Sequence, residues 1–483
     1  MNTGLIIKIA YVLALMAVCL RIIYDTRNVN KSLAYLLLAV FVPMAGMIFY
    51  LMFGANYRKR QIYSRKLIDD DKRLKELNDW LISSTKMNLK LHARELGGKS
   101  RLVNLLLQDN KSPLTSGNKA RLLVNGEEKF PEVITALEQA RHHIHMEYFI
   151  YQDDLIGNTV KEVLIRKARE GVTVRLIYDG YGSRSIRRRL VRELKAGGVE
   201  AYPFNRVRFP LFANRINYRN HRKIIVIDGK TGFTGGININ DKYINDGRNE
   251  RKLFWRDTHL RIDGPGILSL QHIFLSDWNF CSNQKIAPET AFYNPGDDPS
   301  GNVSVQMAIS GPDSPNSTIK LSILRAISMA KKEIQITTPY FIPGGSIMDE
   351  IKMASLGGVK VKLLVPGISD SRIVNAAAQS YYEELLAAGV EIYRYLKGFV
   401  HAKTIIIDQD FAVVGTANMN HRSFNFDFEV NAFVYDPHFA RELGLLFAED
   451  LKESEKIDYQ AWISRPKMVL MLEKVARLLS PVL

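Results

Sequence analysis

The sequence predicts an α/β fold built twice behind a membrane anchor. Strand-like β-branched runs alternate with helix-like segments, the order of those segments repeats midway along the chain, and the N-terminus carries two long apolar runs. VTVRLIYDG (172–180) and VKVKLLVPG (359–367) each follow a helix-like segment and a glycine, as strands of βαβ units do. A helix ending in AGGVEAY (196–202) is matched by AAGVEIY (387–393), and EYFIY (147–151) has a weaker echo in PYFIP (339–343). The expected organisation is a duplicated, bilobal domain, residues 116–300 and 301–465, each half a mixed sheet flanked by helices. An N-terminal transmembrane hairpin (1–55), a basic helical linker (56–115) and an amphipathic C-terminal helix (466–483) complete it.

Composition agrees with a large folded body. The 483 residues suffice for roughly two to four domains. With 46% hydrophobic and 24% charged residues, the bulk of the chain is excluded from the disordered class. A net charge of +16 favours an anionic partner, whether nucleic acid, anionic lipid or a phosphate-bearing substrate. Two cysteines, Cys19 and Cys281, are too few for a disulfide framework, which suits a reducing compartment.

The run from Ser32 to Phe53 holds 22 residues without a charge and reads as a transmembrane helix, with Pro43 and Gly46 marking a place for a kink. Gly4 to Tyr24 is a second candidate span, with Lys8 and Arg21 near its ends where long side chains reach the headgroups. A cleaved signal peptide is the alternative for this first run, but Val18 before Cys19 is not the small residue a lipoprotein site wants. Arg58, Lys59, Arg60, Arg65 and Lys66 follow at once, which predicts a multi-pass cell-membrane protein with its body in the cytoplasm.

The chemistry lies in a motif that occurs twice. NHRKIIVIDGKTGFTGGININ begins at Asn220 and VHAKTIIIDQDFAVVGTANMN at Val400. Counted from His221 and His401, the two share Lys at +2 (Lys223, Lys403), Asp at +7 (Asp228, Asp408), Gly at +14 (Gly235, Gly415) and Asn at +17 and +19 (Asn238, Asn240; Asn418, Asn420). A lone histidine before an apolar strand is ordinarily a satisfied core residue; six identities in register argue otherwise. Residues two apart on a strand share a face, so each motif presents an imidazole beside an ammonium while the apolar run behind is buried. Two imidazoles, two ammonium groups and two amides in one cleft suit a phosphodiester, with one imidazole to attack and the other to protonate the leaving oxygen.

These paired motifs resemble the phospholipase D superfamily. With the N-terminal hairpin, the TPYF run from Thr338 to Phe341 and the amphipathic tail, the chain resembles bacterial cardiolipin synthases of that superfamily over nearly its whole length. The resemblance implies a bilobal α/β fold, no metal or other cofactor, and a two-step exchange through a phosphatidyl-histidine that joins two phosphatidylglycerols into cardiolipin and releases glycerol. It makes His221 and His401 the nucleophile and general acid/base, with Lys223, Lys403, Asn238 and Asn418 holding the phosphate. Asp228 and Asp408 complete the catalytic motifs in a supporting role. A carboxylate further along orients each histidine, and the candidates by position are Glu429, 28 residues after His401, and Asp257, 36 after His221. A phospholipase D-type hydrolase and, less well matched to a membrane anchor, a nuclease remain the competing readings; no nucleic-acid partner is expected, and the sequence leaves oligomeric state open.

Other signals are weaker. His142, His143 and His145 look like metal ligands but sit where a helix-like segment runs into a strand, with Glu147 alone close by. The segment FNRVRFPLFANRINYRN (204–220) interleaves Phe209, Leu211 and Phe212 with four arginines, as a loop dipping into an anionic leaflet would, or as an ordinary long loop. The tail RPKMVLMLEKVARLLSPVL reads either as interfacial or as a helix docked on the body.

Overall fold

The computed structural model describes residues 3–25, 29–50, 82–83, 85–87, 89–90, 96–204, 218–245, 253–282, 284, 286, 290–293 and 301–480. The N-terminal helices and the body are separate compact units and are taken in turn.

Helix α1, Thr3–Asp25, contains the 22-residue span Gly4–Asp25, in which an 18-residue window reaches a mean hydropathy of 2.4. At about 1.5 Å per residue it matches a hydrocarbon core of about 30 Å. It is the one helix among the described residues long and apolar enough to cross. The second apolar run does not form the straight span its hydropathy suggests. It splits into α2, Val29–Phe41, and α3, Pro43–Phe49, on either side of Val42, whose φ of −131° and ψ of 66° are not helical. Proline at the first position of α3 lacks the N–H that would continue the ladder and clashes with the preceding turn. The chain then folds back: the rings of Tyr35 and Tyr50 stand 5.5 Å apart, whereas the same 15-residue separation spans about 22 Å of straight helix. Gly46 makes the approach possible, since a Cβ there would lie 2.3 Å from the Leu38 carbonyl oxygen. Tyr50 donates through its hydroxyl to Asp25 at 3.3 Å, so the end of α3 returns to the level at which α1 ends.

In the body the first half supplies β1 (Thr115–Val124), β2 (His143–Tyr148), β3 (Thr173–Asp179), β4 (Glu200–Phe204), β5 (Lys223–Ile227), β6 (Thr231–Gly235), β7 (Phe254–Arg256) and β8 (Thr258–Asp263). The second supplies β9 (Val303–Ser310), β10 (Glu333–Thr337), β11 (Lys360–Pro366), β12 (Glu391–Tyr395), β13 (Gly398–Val400), β14 (Thr404–Ile407), β15 (Phe411–Gly415), β16 (Glu429–Tyr435) and β17 (Ser454–Lys456). Fifteen of them form one sheet, joined through the antiparallel pair β1–β9. Outward from that seam the order is β1-β8-β6-β5-β2-β3-β4 on one side and β9-β16-β15-β14-β10-β11-β12 on the other, with β17 added at the edge. The outer strands β2-β3-β4 and β10-β11-β12 pair in parallel and the inner ones antiparallel, so the sheet is mixed.

Strands β5 and β14 are buried along their whole length because helices cover the sheet, which is why they read as unbroken apolar runs rather than alternating ones. The helix Ser100–Asn110, at the end of the expected linker, belongs to the body: Leu102, Val103 and Leu106 pack in the core of the second half with Ile323 and Ile334. The small parallel pair β7–β13 joins the segment ahead of His401 to the first half.

Candidate active site

Both motif histidines precede the strand that their apolar runs build, and each is held by the opposite half of the chain. The His221 N–H donates to the Phe428 carbonyl at 2.9 Å, and the Phe428 N–H donates to that of Arg219 at 2.8 Å. His401 follows β13 and donates its N–H to the Arg256 carbonyl at 2.7 Å. The side chains cross in the same way. His221 Nδ1 lies 3.0 Å from both carboxylate oxygens of Glu429, and His401 Nδ1 lies 2.6 Å from Oδ2 of Asp257. The structure thus pairs each carboxylate with the histidine of the other motif rather than with the one upstream in its own half. A carboxylate on Nδ1 fixes the Nδ1–H tautomer and leaves Nε2 of each ring with its lone pair.

Space for these carboxylates comes from the residue after each motif glycine. A Cβ at Gly236 would lie 2.0 Å from Asp257 Oδ1, so the Asp257 carboxylate occupies the room a side chain would take. At the matching place in the second half, Thr416 donates its hydroxyl to Glu429 instead.

The site is buried and densely charged. Lys223 and Lys403 are buried and donate to the carbonyls of His221 and His401. Burial lowers Lys223 to a pKa of about 7 and Lys403 to about 8, and each ammonium depresses the other or meets a further cation. Burial likewise lowers His221 to about 4 against the pull of Glu429, so the resting imidazole is neutral. Burial raises Glu429, but His221 and Lys223 outweigh it and hold the carboxyl below its usual range; burial pushes Asp257 up to about 6. These shifts place two limbs on the pH profile. As pH rises through 7 to 8 the lysines lose the charge that holds an anionic diester, and as pH falls through 6 Asp257 takes up a proton and His401 loses its anionic partner. kcat/KM should therefore be bell-shaped with limbs near 6 and near 7 to 8. A profile flat from pH 5 to 9 would contradict these assignments.

Asn238 and Asn418 are both buried but differ in their commitments. Asn238 gives one amide N–H to the Tyr243 hydroxyl at 2.8 Å and accepts from the Ile150 N–H at 3.2 Å. The Asn418 Oδ1 is buried without a hydrogen-bond partner among the described residues. Asn240 and Asn420 instead cap the short helices that follow them, accepting from the N–H groups of Lys242 and Ser423.

The motif aspartates are not brought to the histidines. Asp228 and Asp408 sit past the far ends of β5 and β14 with φ of 53° and 55°. Asp228 accepts from the N–H groups of Arg141, His142 and His143 at 2.8, 2.8 and 2.9 Å, and Asp408 from those of Lys331, Lys332 and Glu333 at 2.9, 2.7 and 2.9 Å. Their expected place among the catalytic groups gives way to a structural one, pinning the turn after the motif strand to the start of its neighbour. His143 and His145 both bond Gln271, and His145 stacks on Phe274 at 4.5 Å; no group of potential metal ligands occurs among the described residues. Phe209, Leu211 and Phe212 lie outside the described residues.

Sequence reasoning missed the aromatic wall. Phe149 lies 4.9 Å from the His221 ring, while Trp255, Tyr243 and Phe399 lie 5.4, 5.8 and 5.8 Å from that of His401. Trp255 stands two residues before Asp257, and only that neighbourhood could have signalled it.

Residues 133–278 and 323–451, more than half of the chain, match a family described as cardiolipin synthase, phospholipase D-like domain. The chain belongs to this family. Residues 9–54 match a second family, described as phospholipase D-nuclease N-terminal. Among similar proteins, a cardiolipin synthase of Alkalihalophilus pseudofirmus is 39% identical over 99% of this chain and 94% of its own length. The major cardiolipin synthase of Bacillus subtilis is 38% identical over 100% of this chain and 99% of its own. In fold, the crystal structure of phosphatidylserine synthase from Haemophilus influenzae superposes with a TM-score of 0.60 at 15% identity, covering 79% of this chain and 100% of that one.

Proposed function

We propose that this cardiolipin synthase family member moves a phosphatidyl group from one phosphatidylglycerol to a second, yielding cardiolipin and glycerol. The observation that carries the reading is the pair of buried histidines, each with a carboxylate from the opposite half on Nδ1, flanked by two buried lysines.

His221 is the nucleophile in this reading. Its partner Glu429 stays ionised and touches Nδ1 through both oxygens, which raises electron density at Nε2. Nε2 attacks phosphorus and the bond to the glycerol oxygen breaks; His401, neutral at rest, takes up a proton at Nε2 once the anionic diester is bound and gives it to that oxygen. Lys223, Lys403, Asn238 and Asn418 hold the non-bridging oxygens, where charge accumulates in the transition state. In the second step His401 takes the proton of the acceptor hydroxyl, whose oxygen displaces His221. The duplicated, bilobal reading is supported by the matching strand order of the half-sheets and by the crossed pairs, since one half alone lacks a partner for its histidine.

Membrane attachment through α1 fits this reading, with the folded-back pair α2–α3 beside it in the same unit, and the basic cluster from Arg58 to Lys66 favours a cytoplasmic side for the body. The C-terminal helix Lys467–Arg477 combines both roles left open for the tail. Arg465 grips Glu473 at 2.7 and 2.9 Å and Arg477 grips Glu384 at 2.8 Å, while Met468, Leu472 and Val475 stay exposed as an apolar strip for the lipid surface.

Incubating the purified protein with phosphatidylglycerol alone tests the reading. Cardiolipin with an equal amount of glycerol is expected; phosphatidic acid with glycerol would assign a hydrolase, and no turnover would sink the phosphatidyltransferase.

A further inference from the structure

Twenty-one residues after each motif histidine stands a further cation, Lys242 in the first half and Arg422 in the second. Both follow the asparagine at +19 by two residues, but their surroundings differ. Arg422 is committed to the Asp427 carboxylate, at 3.0 Å through Nε and 3.1 Å through Nη2. Lys242 has no carboxylate within ion-pair distance among the described residues; its ammonium lies 3.7 Å over the Trp255 ring, which itself packs 5.4 Å from the His401 ring. Its charge is felt at His401, whose pKa burial and then Lys403 and Lys242 lower. Burial lowers Lys242 to about 8, and the Asp370 and Asp257 carboxylates oppose that loss, so it remains a cation at neutral pH. Asp370 also accepts the Tyr340 hydroxyl at 2.7 Å, and the Tyr340 ring lies 6.1 Å from Phe399 on the same His401 side. A half-buried cation with no carboxylate at ion-pair distance among the described residues therefore stands on the His401 side, whereas its counterpart Arg422 is paired.

We propose that Lys242 binds the phosphate of the acceptor lipid, a second phosphodiester distinct from the one being transferred. The inference rests on the transferase reading above. In that reaction the donor's phosphorus sits between the histidines and its leaving glycerol, which is neutral, lies toward His401. The acceptor enters on the same side, presents a hydroxyl to His401, and brings its own phosphate beyond that hydroxyl. The acceptor oxygen then bonds to phosphorus, its proton passes to His401 Nε2, and the phosphorus–nitrogen bond breaks with its electron pair returning to His221. Water and free glycerol take the same path without a charge for Lys242 to hold.

Two exchanges separate the acceptor's phosphate from the donor's. With phosphatidylglycerol vesicles and labelled glycerol, incorporation of label into phosphatidylglycerol reports transfer to a neutral acceptor, and cardiolipin reports transfer to an anionic one. In Lys242→Gln the ratio of cardiolipin formation to glycerol exchange should fall about tenfold or more, and Lys242→Arg should restore most of it. An unchanged ratio in Lys242→Gln, or both rates falling in parallel, would overturn the proposal. A wild-type protein that exchanges glycerol but forms no cardiolipin would instead overturn the cardiolipin-forming reading itself.

Discussion

Replacing either His221 or His401 with alanine is expected to lower kcat by about 10⁴-fold or more. Each half of the chain supplies one imidazole, and the crossed carboxylates leave no spare partner: Glu429 serves His221 and Asp257 serves His401. Loss of the nucleophile removes the covalent route altogether, whereas loss of the acid forces the glycerol oxygen to leave as an alkoxide. Glycerol release from phosphatidylglycerol measures both. Labelled lipid retained on the denatured protein divides the roles: His221→Ala should retain none, and an adduct surviving in His221→Ala but absent in His401→Ala would reverse the assignment. Substantial turnover in either variant would contradict one shared site.

The second large effect belongs to the positioning carboxylates. Glu429→Gln and Asp257→Asn should each lower kcat by about 10² to 10⁴-fold while changing KM little, because the amide keeps the shape but not the charge that fixes tautomer and supports the imidazolium. A merely structural role predicts loss of folded protein instead, so thermal unfolding is followed alongside. The pH profile adds a signature: burial raises Asp257 to about 6, and the acid limb it produces should vanish in Asp257→Asn and persist in Glu429→Gln. If the limb were to vanish only in Glu429→Gln, the assignment of that limb to Asp257 would be wrong.

Much of the site is legible because duplication turns weak signals into a strong one. His221 and Lys223 alone describe a histidine before a strand; matched by His401 and Lys403 with Gly and Asn in register, they describe a site. Burial of both lysines follows from the same pattern, since a residue two past the histidine stands at or just before the start of a strand that is buried along its whole length. The aspartates lie away from the histidines for a physical reason. Their spacing of seven carries them past the end of a short strand, where a carboxylate in a positive-φ turn is best used to accept three backbone N–H groups.

By itself the sequence determined that strands alternate with helices through the body, that a histidine with a lysine two residues on occurs twice, each just ahead of an apolar run, and that an apolar helix precedes them. These are local or repeated properties, carried by residues a few positions apart. Which histidine meets which carboxylate was decided only by the tertiary structure, across separations of 208 and 144 residues, by the Asn220–Phe428 bridge and the β7–β13 pair that clamp each motif to the opposite half. The fold-back at Pro43 was decided there as well. Hydropathy records how apolar a run is and carries no information on direction, so a straight span and two helices packed through Gly46 share one sequence pattern until the contacts of Tyr35 with Tyr50 are known.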